Sequence, residues 1–426
     1  MGAVLAGGRE KLPSGGLQAF GPVPVLTGSD PRTVLDRALR ELTPDAVLDL
    51  SDEPVLDYRR RHQLAGVALF RGVPYEGADF RFTPPARPSL CAQPSMAVVG
   101  TGKRTGKTAV AGFVARTLSA SGRRPVVVAM GRGGPASPEV VRGDQIELTP
   151  RDLLALADEG RHAASDYIED AMLGRVPTVG CRRCGGGLAG GVEHSNVAEG
   201  VALANDLAGD FLLLEGSGSA LPPARADVMG LVVPAGIPEE HLAGYFGPYR
   251  LLLADFVVVT MSERPFGAPP QVSALVRRIR DSFRLTVDGT DPEEIRVVRT
   301  VFRPTPLRPV SGARVFVATT APEAVGEVIR RHLEREHGCE VAGMSHALSN
   351  RDRLDEELGG INRKADVLLC EIKAAAIDVA TRRALDAGLE VVYLDNQPIG
   401  IEGDDVAGTV EWAAARAEKR FAAGER

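Results

Sequence analysis

The stretch that decides the fold runs from Val98 to Thr108 and reads Val-Val-Gly-Thr-Gly-Lys-Arg-Thr-Gly-Lys-Thr. It joins the end of an apolar strand to a glycine-containing turn and the start of a helix. In such a loop the backbone N–H groups point at phosphate oxygens, the lysine neutralises the β- and γ-phosphates, and the final hydroxyl binds Mg²⁺. The residues predicted to bind a nucleotide are Gly100, Thr101, Gly102, Lys103, Arg104, Thr105, Gly106, Lys107 and Thr108.

The composition is that of an ordinary globular protein. Of 426 residues, 44% are hydrophobic and 25% are charged, and 50 basic residues against 56 acidic ones give a net charge of −6. This balance excludes a mainly disordered chain and disfavours nucleic-acid binding through bulk positive charge. No apolar run approaches the roughly 20 residues that cross a bilayer, and the first residues lack the pattern of a signal peptide. We therefore expect a cytoplasmic protein without membrane or nucleic-acid partners.

Short β-branched runs alternate with longer helical patterns, which predicts an α/β fold with mostly parallel sheets. Proline-rich residues 84–94 and 303–309 suggest linkers, because proline can continue neither a helix nor a central strand. The glycine-rich stretch 131–200 is predicted to be largely loop, with one helix near 152–158. The three predicted units are an N-terminal α/β domain at 1–93, a central P-loop NTPase domain at 94–308 and a C-terminal α/β domain at 309–426.

Candidate metal-binding carboxylates lie near the ends of predicted strands. The apolar strand 211–214 delivers Glu215 and Gly216 to its carboxyl end, where ligands gather in an open parallel sheet. We expect Glu215 to bind Mg²⁺ directly or through water. Asp144, with Glu139 behind it, is the predicted second acidic partner because it follows the second strand. The chain lacks the Asn-Lys-x-Asp motif of guanine-specific GTPases, which favours an adenine nucleotide.

Basic residues concentrate near the glycine-rich segments. The chain has 6 lysines against 44 arginines, so two lysines within one loop, Lys103 and Lys107, are an unusual choice. Arginines stand among glycines at Arg132, after the second strand, and at the pair Arg182 and Arg183. Guanidinium groups beside free backbone amides can hold phosphates or carboxylates through paired hydrogen bonds. This pattern predicts a multiply anionic second substrate; the alternative is that the arginine pair lies on a solvated surface.

These segments together resemble the cyclic 2,3-diphosphoglycerate synthetase family over nearly the whole chain. The phosphate loop is one residue longer than the common Gly-x-x-x-x-Gly-Lys-Thr motif, a spacing also found in dethiobiotin synthetase and related P-loop ligases. The narrower signals are Ser51-Asp-Glu-Pro54 and Glu371-Ile-Lys-Ala-Ala-Ala376. The segments that carry the resemblance are Val47–Tyr58, Gly72–Phe80, Gly100–Thr108, Cys184–Gly190, Leu214–Gly218 and Glu371–Thr381.

The resemblance implies an ATP-dependent ligase that forms the intramolecular phosphoanhydride of cyclic 2,3-diphosphoglycerate from 2,3-bisphosphoglycerate, releasing ADP and phosphate. It implies ATP and Mg²⁺ as cofactors, K⁺ as a further cation, and a homodimer. Lys373, which opens a helix after a strand, is expected to point into the active site, although an ordinary first-turn lysine would look the same. Family members begin with an additional strand and helix before the position of Ala3, so the resemblance implies that the N-terminal domain is truncated or that its start is misassigned. The residues implied to be catalytic are Lys107, Lys103, Arg132, Arg182, Arg183 and Lys373.

Two other functions fit parts of the pattern. A carboxylate-activating ligase of the dethiobiotin synthetase type would share the loop and Glu215, but it has no use for so many glycine-flanked arginines. A nucleotide-hydrolysing switch or metallochaperone would use Cys181 and Cys184 to handle a metal. Their spacing is typical of zinc sites, but no second Cys or His pair follows, and His194 is the nearby histidine, so zinc is disfavoured.

Overall fold

The computed structural model describes residues 1–7, 16–283, 295–361 and 364–424, which form an α/β fold as the sequence predicts. The strands are β1 (Ala3–Val4), β2 (Val25–Leu26), β3 (Val47–Leu48), β4 (Tyr75–Glu76), β5 (Arg81–Phe82), β6 (Ser95–Gly100), β7 (Pro125–Gly131), β8 (Glu139–Arg142), β9 (Pro177–Cys184), β10 (His194–Ser195), β11 (Phe211–Glu215), β12 (Val228–Pro234), β13 (Phe256–Thr260), β14 (Arg296–Pro306), β15 (Arg314–Ala318), β16 (Glu340–Ser345), β17 (Val367–Glu371) and β18 (Glu390–Gly400).

The helices pack on both faces of the sheets. They are α1 (Pro31–Leu42), α2 (Tyr58–Phe70), α3 (Lys107–Ala120), α4 (Pro150–Asp158), α5 (Asp166–Gly174), α6 (Val197–Asn205), α7 (Glu239–Ala243), α8 (Gly247–Leu253), α9 (Pro269–Phe283), α10 (Gly326–His337), α11 (Arg351–Glu357), α12 (Arg382–Asp386) and α13 (Val406–Ala423), with a π-helix at Ala376–Thr381.

A single large sheet runs through the central and C-terminal parts of the chain. Among the described residues its strand order is β10-β9-β7-β11-β6-β12-β13-β14-β18-β17-β15-β16, with β8 also paired to β9. The seven strands from β9 to β14 in this order are mutually parallel. Strands β6 and β11 are buried along their whole length, because helices cover both faces of a parallel sheet.

Residues 303–306 lie in strand β14, so the interpretation of 303–309 as a linker is wrong for these four residues. Strand β14 continues past the end of β13, and its last seven residues, Thr300–Pro306, pair antiparallel with β18. This extension has a paired neighbour on one edge, so prolines at alternate positions lose no ladder hydrogen bond. Strands β15, β17 and β18 therefore run opposite to the central strands, and the carboxyl ends of β15 and β17 face the carboxyl ends of the central sheet.

The prediction of a mostly irregular stretch at 131–200 is also wrong. Besides α4, which is confirmed, this stretch contains α5, α6 and three strands, of which β9 is eight residues long. Glycines in this stretch allow close packing between elements, although in the sequence they look like residues of a loop. A Cβ on Gly180 would lie 2.6 Å from the Tyr167 ring, so this glycine lets α5 pack closely on β9.

Two hydrophobic cores cover the two faces of the central sheet. One core contains residues of α3, α5 and α13 together with β15, β17 and the π-helix, so the central and C-terminal parts share it. The other contains residues of α6, α8 and α9 together with α1 and α2 of the N-terminal part. The last helix, α13, packs on β6 of the central sheet. The three domain limits given above stay a prediction.

Candidate active site

The phosphate loop is held tightly between neighbouring strands. The backbone N–H of Thr101 donates to the Val232 carbonyl at 3.1 Å, and the Thr260 hydroxyl donates to the Thr105 carbonyl at 2.8 Å. Gly106 has a φ of +83°, and a Cβ there would lie 2.2 Å from the Phe302 ring. Glycine is therefore required where the loop turns into α3. The first N–H groups of α3 have no acceptor within the helix, and such groups can bind an anion at the phosphate loop.

A buried ion pair links the loop to β11. The ammonium of Lys107 donates to Glu215 Oε1, and the two residues are 7% and 0% exposed. The second carboxylate oxygen of Glu215 is buried without a hydrogen-bond partner. Gly216 follows and donates its N–H to the Val98 carbonyl at 2.9 Å. The structure thus brings together the predicted lysine and the predicted carboxylate.

Three further carboxylates reach this pair from α5, and none was predicted from the sequence. They are Asp166, Glu169 and Asp170, which lie on one helix face because their spacing is i, i+3 and i+4. Asp170 is 1% exposed, and neither of its oxygens has a hydrogen-bond donor. The carboxylates of Glu215, Asp166 and Asp170 all act on the Lys107 ammonium.

Burial and like charge shift the proton affinities in this cluster. Burial raises the pKa of Asp170 well above its ordinary value, and the adjacent Glu215 carboxylate adds to this. Burial and then Glu215 likewise raise the pKa of Asp166. Burial alone would lower the pKa of Lys107, but Glu215, Asp166 and Asp170 outweigh it, so the pKa of Lys107 lies above its ordinary value. The cluster is short of positive charge and favours an added cation.

Lys373 approaches the same cluster from the C-terminal part of the chain. Its ammonium lies 3.3 Å from Glu169 Oε1, and its side chain is 30% exposed. Burial raises the pKa of Glu169 to about 8 against the opposing charge of Lys373. Desolvation of Lys373 would lower its pKa, but Glu169, Glu371 and Asp166 reverse the direction. We call the group formed by Lys107, Glu215, Asp166, Glu169, Asp170 and Lys373 the inter-sheet site, because the two facing sheet edges meet there.

Other predicted cations lie around this site with free donors. Within the described residues, Lys103, Arg104, Arg132, Arg182 and Arg183 form no ion pair with Asp or Glu. Arg182 Nε donates to the Gly134 carbonyl at 2.6 Å, and Arg183 is bonded to two carbonyl groups. Arg132 lines a cavity of about 190 Å³ with Asp166 and His162. Lys103, Arg104, Arg132 and Arg182 therefore remain available to an anionic ligand, whereas Arg183 is buried against these carbonyl groups.

Asp144 does not join the inter-sheet site. It is paired with Arg142 through hydrogen bonds of 2.9 and 2.6 Å. Strand β7 lies between β11 and β9, and its Ala129 pairs with both Glu215 and Gly180. Arg142 pairs instead with Pro177, which is three residues nearer the amino end of β9 than Gly180. Three strand residues span roughly 10 Å, and Asp144 lies beyond them. The carboxylates near Glu215 come instead from α5, where the pattern Asp-x-x-Glu-Asp was the available signal.

The residues around Glu215 can accommodate Mg²⁺. Among the described residues, no group of three or more His, Cys, Asp or Glu side chains forms a ready-made metal centre. Mg²⁺ usually keeps one or two carboxylates and takes its other ligands from phosphates and water. Glu215 Oε2 is buried and unpartnered beside the loop, and Thr108 lies 9% exposed at the start of α3. These residues fit a magnesium ion that arrives with a nucleotide.

The cysteine pair does not form a shared metal site. Cys181 and Cys184 are three residues apart on β9, so their side chains point to opposite faces of the sheet. Cys181 is buried, and burial raises its pKa to about 12. Cys184 is exposed. The feature that would support a metallochaperone is therefore absent from this strand.

No helix within the described residues is long and apolar enough to cross a membrane.

Family models match most of the chain. The model described as cyclic 2,3-diphosphoglycerate synthetase, P-loop domain, matches residues 95–287. The C-terminal domain model of the same family matches residues 306–397, and its N-terminal domain model matches residues 1–83.

Several relatives are similar along almost their full length. The cyclic 2,3-diphosphoglycerate synthetase of Rubrobacter xylanophilus is 46% identical over 424 residues, covering 100% of this chain and 92% of that protein. The same enzyme from Methanothermobacter thermautotrophicus is 43% identical, covering 97% and 90%. Among solved structures, LpxK from Aquifex aeolicus in complex with ATP aligns with 77% of this chain and 90% of that chain, at 14% identity and a TM-score of 0.42.

Proposed function

The chain belongs to the cyclic 2,3-diphosphoglycerate synthetase family, and we propose that the inter-sheet site is its active site. The protein is an ATP-dependent ligase that closes the intramolecular phosphoanhydride of 2,3-bisphosphoglycerate and releases ADP and phosphate. The observation that carries the site assignment is the meeting of Lys107, Glu215 and the α5 carboxylates with Lys373. Lys107 comes from the phosphate loop and Lys373 from the facing sheet, so nucleotide and acceptor can be held between them.

Charge explains how such a site selects its substrates. The acceptor carries two phosphates and a carboxylate, and ATP adds three phosphates. Lys103, Arg104, Arg132 and Arg182 have no carboxylate partner within the described residues, so binding an anion breaks no ion pair at these positions. Arginine can hold a phosphate through two parallel hydrogen bonds, which favours the doubly phosphorylated acceptor.

The reaction needs two successive phosphoryl transfers. The γ-phosphoryl group of ATP passes to one phosphate of the acceptor, which turns that phosphate ester into a diphosphate ester. The neighbouring phosphate then attacks the phosphorus nearer the glycerate carbon, and inorganic phosphate leaves as the ring closes. Catalysis of this kind rests on positioning and on stabilising charge in the transition state. Lys107 is oriented by Glu215 for the first transfer, and Lys373 is oriented by Glu169 towards the acceptor.

Magnesium fits the anionic side of the site. Thr108 and Glu215 would hold it, with Asp166 as the second carboxylate in place of Asp144. Bound there, it would neutralise charge on the nucleotide phosphates. Asp170 is buried next to Glu215.

The test is whether ADP formation depends on the acceptor. With ATP and Mg²⁺, we expect 2,3-bisphosphoglycerate to raise the rate of ADP release, whereas 3-phosphoglycerate, which lacks one phosphate, should not. Lys107→Ala should abolish the stimulated rate, and the matched exposed variant Lys419→Ala should keep it. ADP release that is equally fast without any acceptor would contradict the proposal and favour a nucleotide-hydrolysing switch.

Three further predictions name no individual residues. They are a role for K⁺, a homodimeric assembly and a cytoplasmic location, and all three stay proposals.

A further inference from the structure

Two buried arginines near the inter-sheet site bind main-chain carbonyl groups instead of carboxylates. Arg183 and Arg250 are each 6% exposed, and neither has an acidic partner among the described residues. Arg183 donates from Nη1 to the Gly185 carbonyl at 2.6 Å and from Nη2 to the Ser217 carbonyl at 3.1 Å. Arg250 donates from Nε to the Ser219 carbonyl at 2.9 Å and from Nη2 to the Leu188 carbonyl at 3.1 Å.

The two arginines repeat the same arrangement. We call residues 184–191 the glycine loop and residues 215–221 the Glu215 loop. Each guanidinium bonds one carbonyl of the glycine loop and one carbonyl of the Glu215 loop. A backbone hydrogen bond of 2.8 Å from Leu221 to Gly190 joins the same two loops. Arg250 is in turn fixed to α8 through the Phe246 carbonyl at 3.0 Å.

Apart from the two arginines, the glycine loop is held by backbone hydrogen bonds, from Gly187 to Gly191 and from Gly190 to Gly187, and by the burial of Ala189. Five of its eight residues are glycine, which gives the chain many alternative conformations, and its Leu188 side chain is 63% exposed. Gly190 has a φ of +88°, and a Cβ there would lie 3.0 Å from the Ser219 carbonyl oxygen and 3.2 Å from Arg250 Nη2. Glycine at this position therefore admits the guanidinium group.

The buried charge makes these bonds strong. Burial lowers the pKa of Arg250 to about 10, so the side chain keeps its charge at neutral pH. Hydrogen bonds from a charged donor are roughly twice as strong as those between neutral groups. Two N–H groups of the glycine loop, those of Gly187 and Gly190, donate within the loop, but others do not. Those of Gly185, Gly186 and Leu188 have no backbone acceptor within the described part of the chain, and consecutive free N–H groups can bind an anion.

We propose that Arg183 and Arg250 are positioning residues, which fix the glycine loop against the Glu215 loop so that the loop's N–H groups bind a phosphate of the acceptor. Arg183 is then a structural support for the site and does not touch the substrate. The identity of the ligand rests on the proposed function, whereas the ordering of the loops does not.

Hydrogen–deuterium exchange on the full-length protein tests the ordering directly. In Arg183→Met and Arg250→Met we expect the amides of the glycine loop and the Glu215 loop to exchange at least about tenfold faster, while the phosphate loop is unchanged. Arg335→Met, on the exposed face of α10, is the matched control and should leave all three loops unchanged. Unchanged exchange in both loops of the two test variants would overturn the proposal.

Steady-state kinetics test the consequence for binding. We expect the KM for 2,3-bisphosphoglycerate to rise roughly tenfold to hundredfold, because small displacements of positioning groups have effects of that size, while the KM for ATP changes less than about twofold. Lysine cannot span two carbonyls as a guanidinium does, so Arg250→Lys should restore the KM incompletely. A raised KM with unchanged loop exchange would show that the arginines contact the substrate themselves.

A second variant covers the case in which Arg250→Met does not fold. Gly190→Ala removes no charge but places a methyl group against the guanidinium, and it should reproduce the faster exchange of both loops. Normal exchange in Gly190→Ala would count against the proposal. If the wild-type protein does not use 2,3-bisphosphoglycerate, the proposed function fails, whereas the exchange result still decides whether the arginines order the loops.

Discussion

Replacing Lys107 with alanine should damage stability as well as catalysis, because its partner is completely buried. Glu215 is 0% exposed, and without Lys107 its carboxylate faces Asp170 and Asp166 with no cation from the phosphate loop. Breaking a buried ion pair by removing one partner costs about 3–5 kcal/mol. With an unfolding entropy of about 2 cal/mol/K per residue, a chain of 426 residues loses about 1 °C per kcal/mol, so we expect Tm to fall by about 3–6 °C. The variant should still be folded at 25 °C.

The double variant Lys107→Ala/Glu215→Gln tests the cause of this loss. The amide carries no charge, so it removes the uncompensated carboxylate, and we expect at least half of the lost stability to return. Turnover should stay below roughly a thousandth of the wild-type rate in both variants, because charge stabilisation at the transferred phosphoryl group is gone. Thermal denaturation followed by circular dichroism, together with ADP release, measures both quantities. A Lys107→Ala variant as stable as wild type, or a double variant less stable than the single one, would refute this reasoning.

Other substitutions separate the carboxylates. Asp170→Asn should raise the free energy of unfolding by about 1–3 kcal/mol, since a buried acceptor without a donor gains an amide that can donate to Glu215; a destabilised variant in chemical denaturation would count against this. In Glu169→Gln the free energy of unfolding should decrease less steeply with rising pH than in the wild-type protein. The pKa of Glu169 is raised to about 8 in the folded protein, so the native state binds more protons and wild-type stability is lost as pH rises from about 4.5 to about 8; an unaltered slope of Tm against pH would contradict this. Asp166→Asn should weaken Mg²⁺-dependent ATP turnover at least about tenfold, and Asp144→Asn should not, as Mg²⁺ titrations of the rate will show; equal effects would place the metal elsewhere.

The sequence was sufficient to locate the nucleotide end of the site. The strand, turn and helix around Lys107 and the apolar strand before Glu215 each have a local signature, and parallel strands bring their carboxyl ends to one edge. Helix α1 and strand β13 carry local signatures of the same kind. These elements are encoded by short-range patterns of apolar residues and caps, such as Asp30 accepting from Arg32 at the start of α1.

The other parts of the site and of the fold depend on long-range packing, which local sequence patterns do not predict. The glycines of β9 and of the neighbouring turns indicated loop, although Gly180 is there to admit the Tyr167 ring. With that stretch taken as loop, the acidic face of α5 was missed and Asp144 was the nearest acidic residue left. The antiparallel pairing of the β14 extension with β18 was hidden by its prolines. That pairing is what turns Lys373 towards the phosphate loop.

Phosphorus NMR of the reaction mixture tests the central claim most directly. Purified protein would be incubated with ATP, Mg²⁺, K⁺ and 2,3-bisphosphoglycerate, and the spectrum followed against a Lys107→Ala control. We expect new phosphoanhydride resonances that belong to neither ATP nor ADP, growing in equal amount with ADP and inorganic phosphate and absent from the control. Accumulation of ADP and phosphate without those resonances would contradict ring closure at the inter-sheet site.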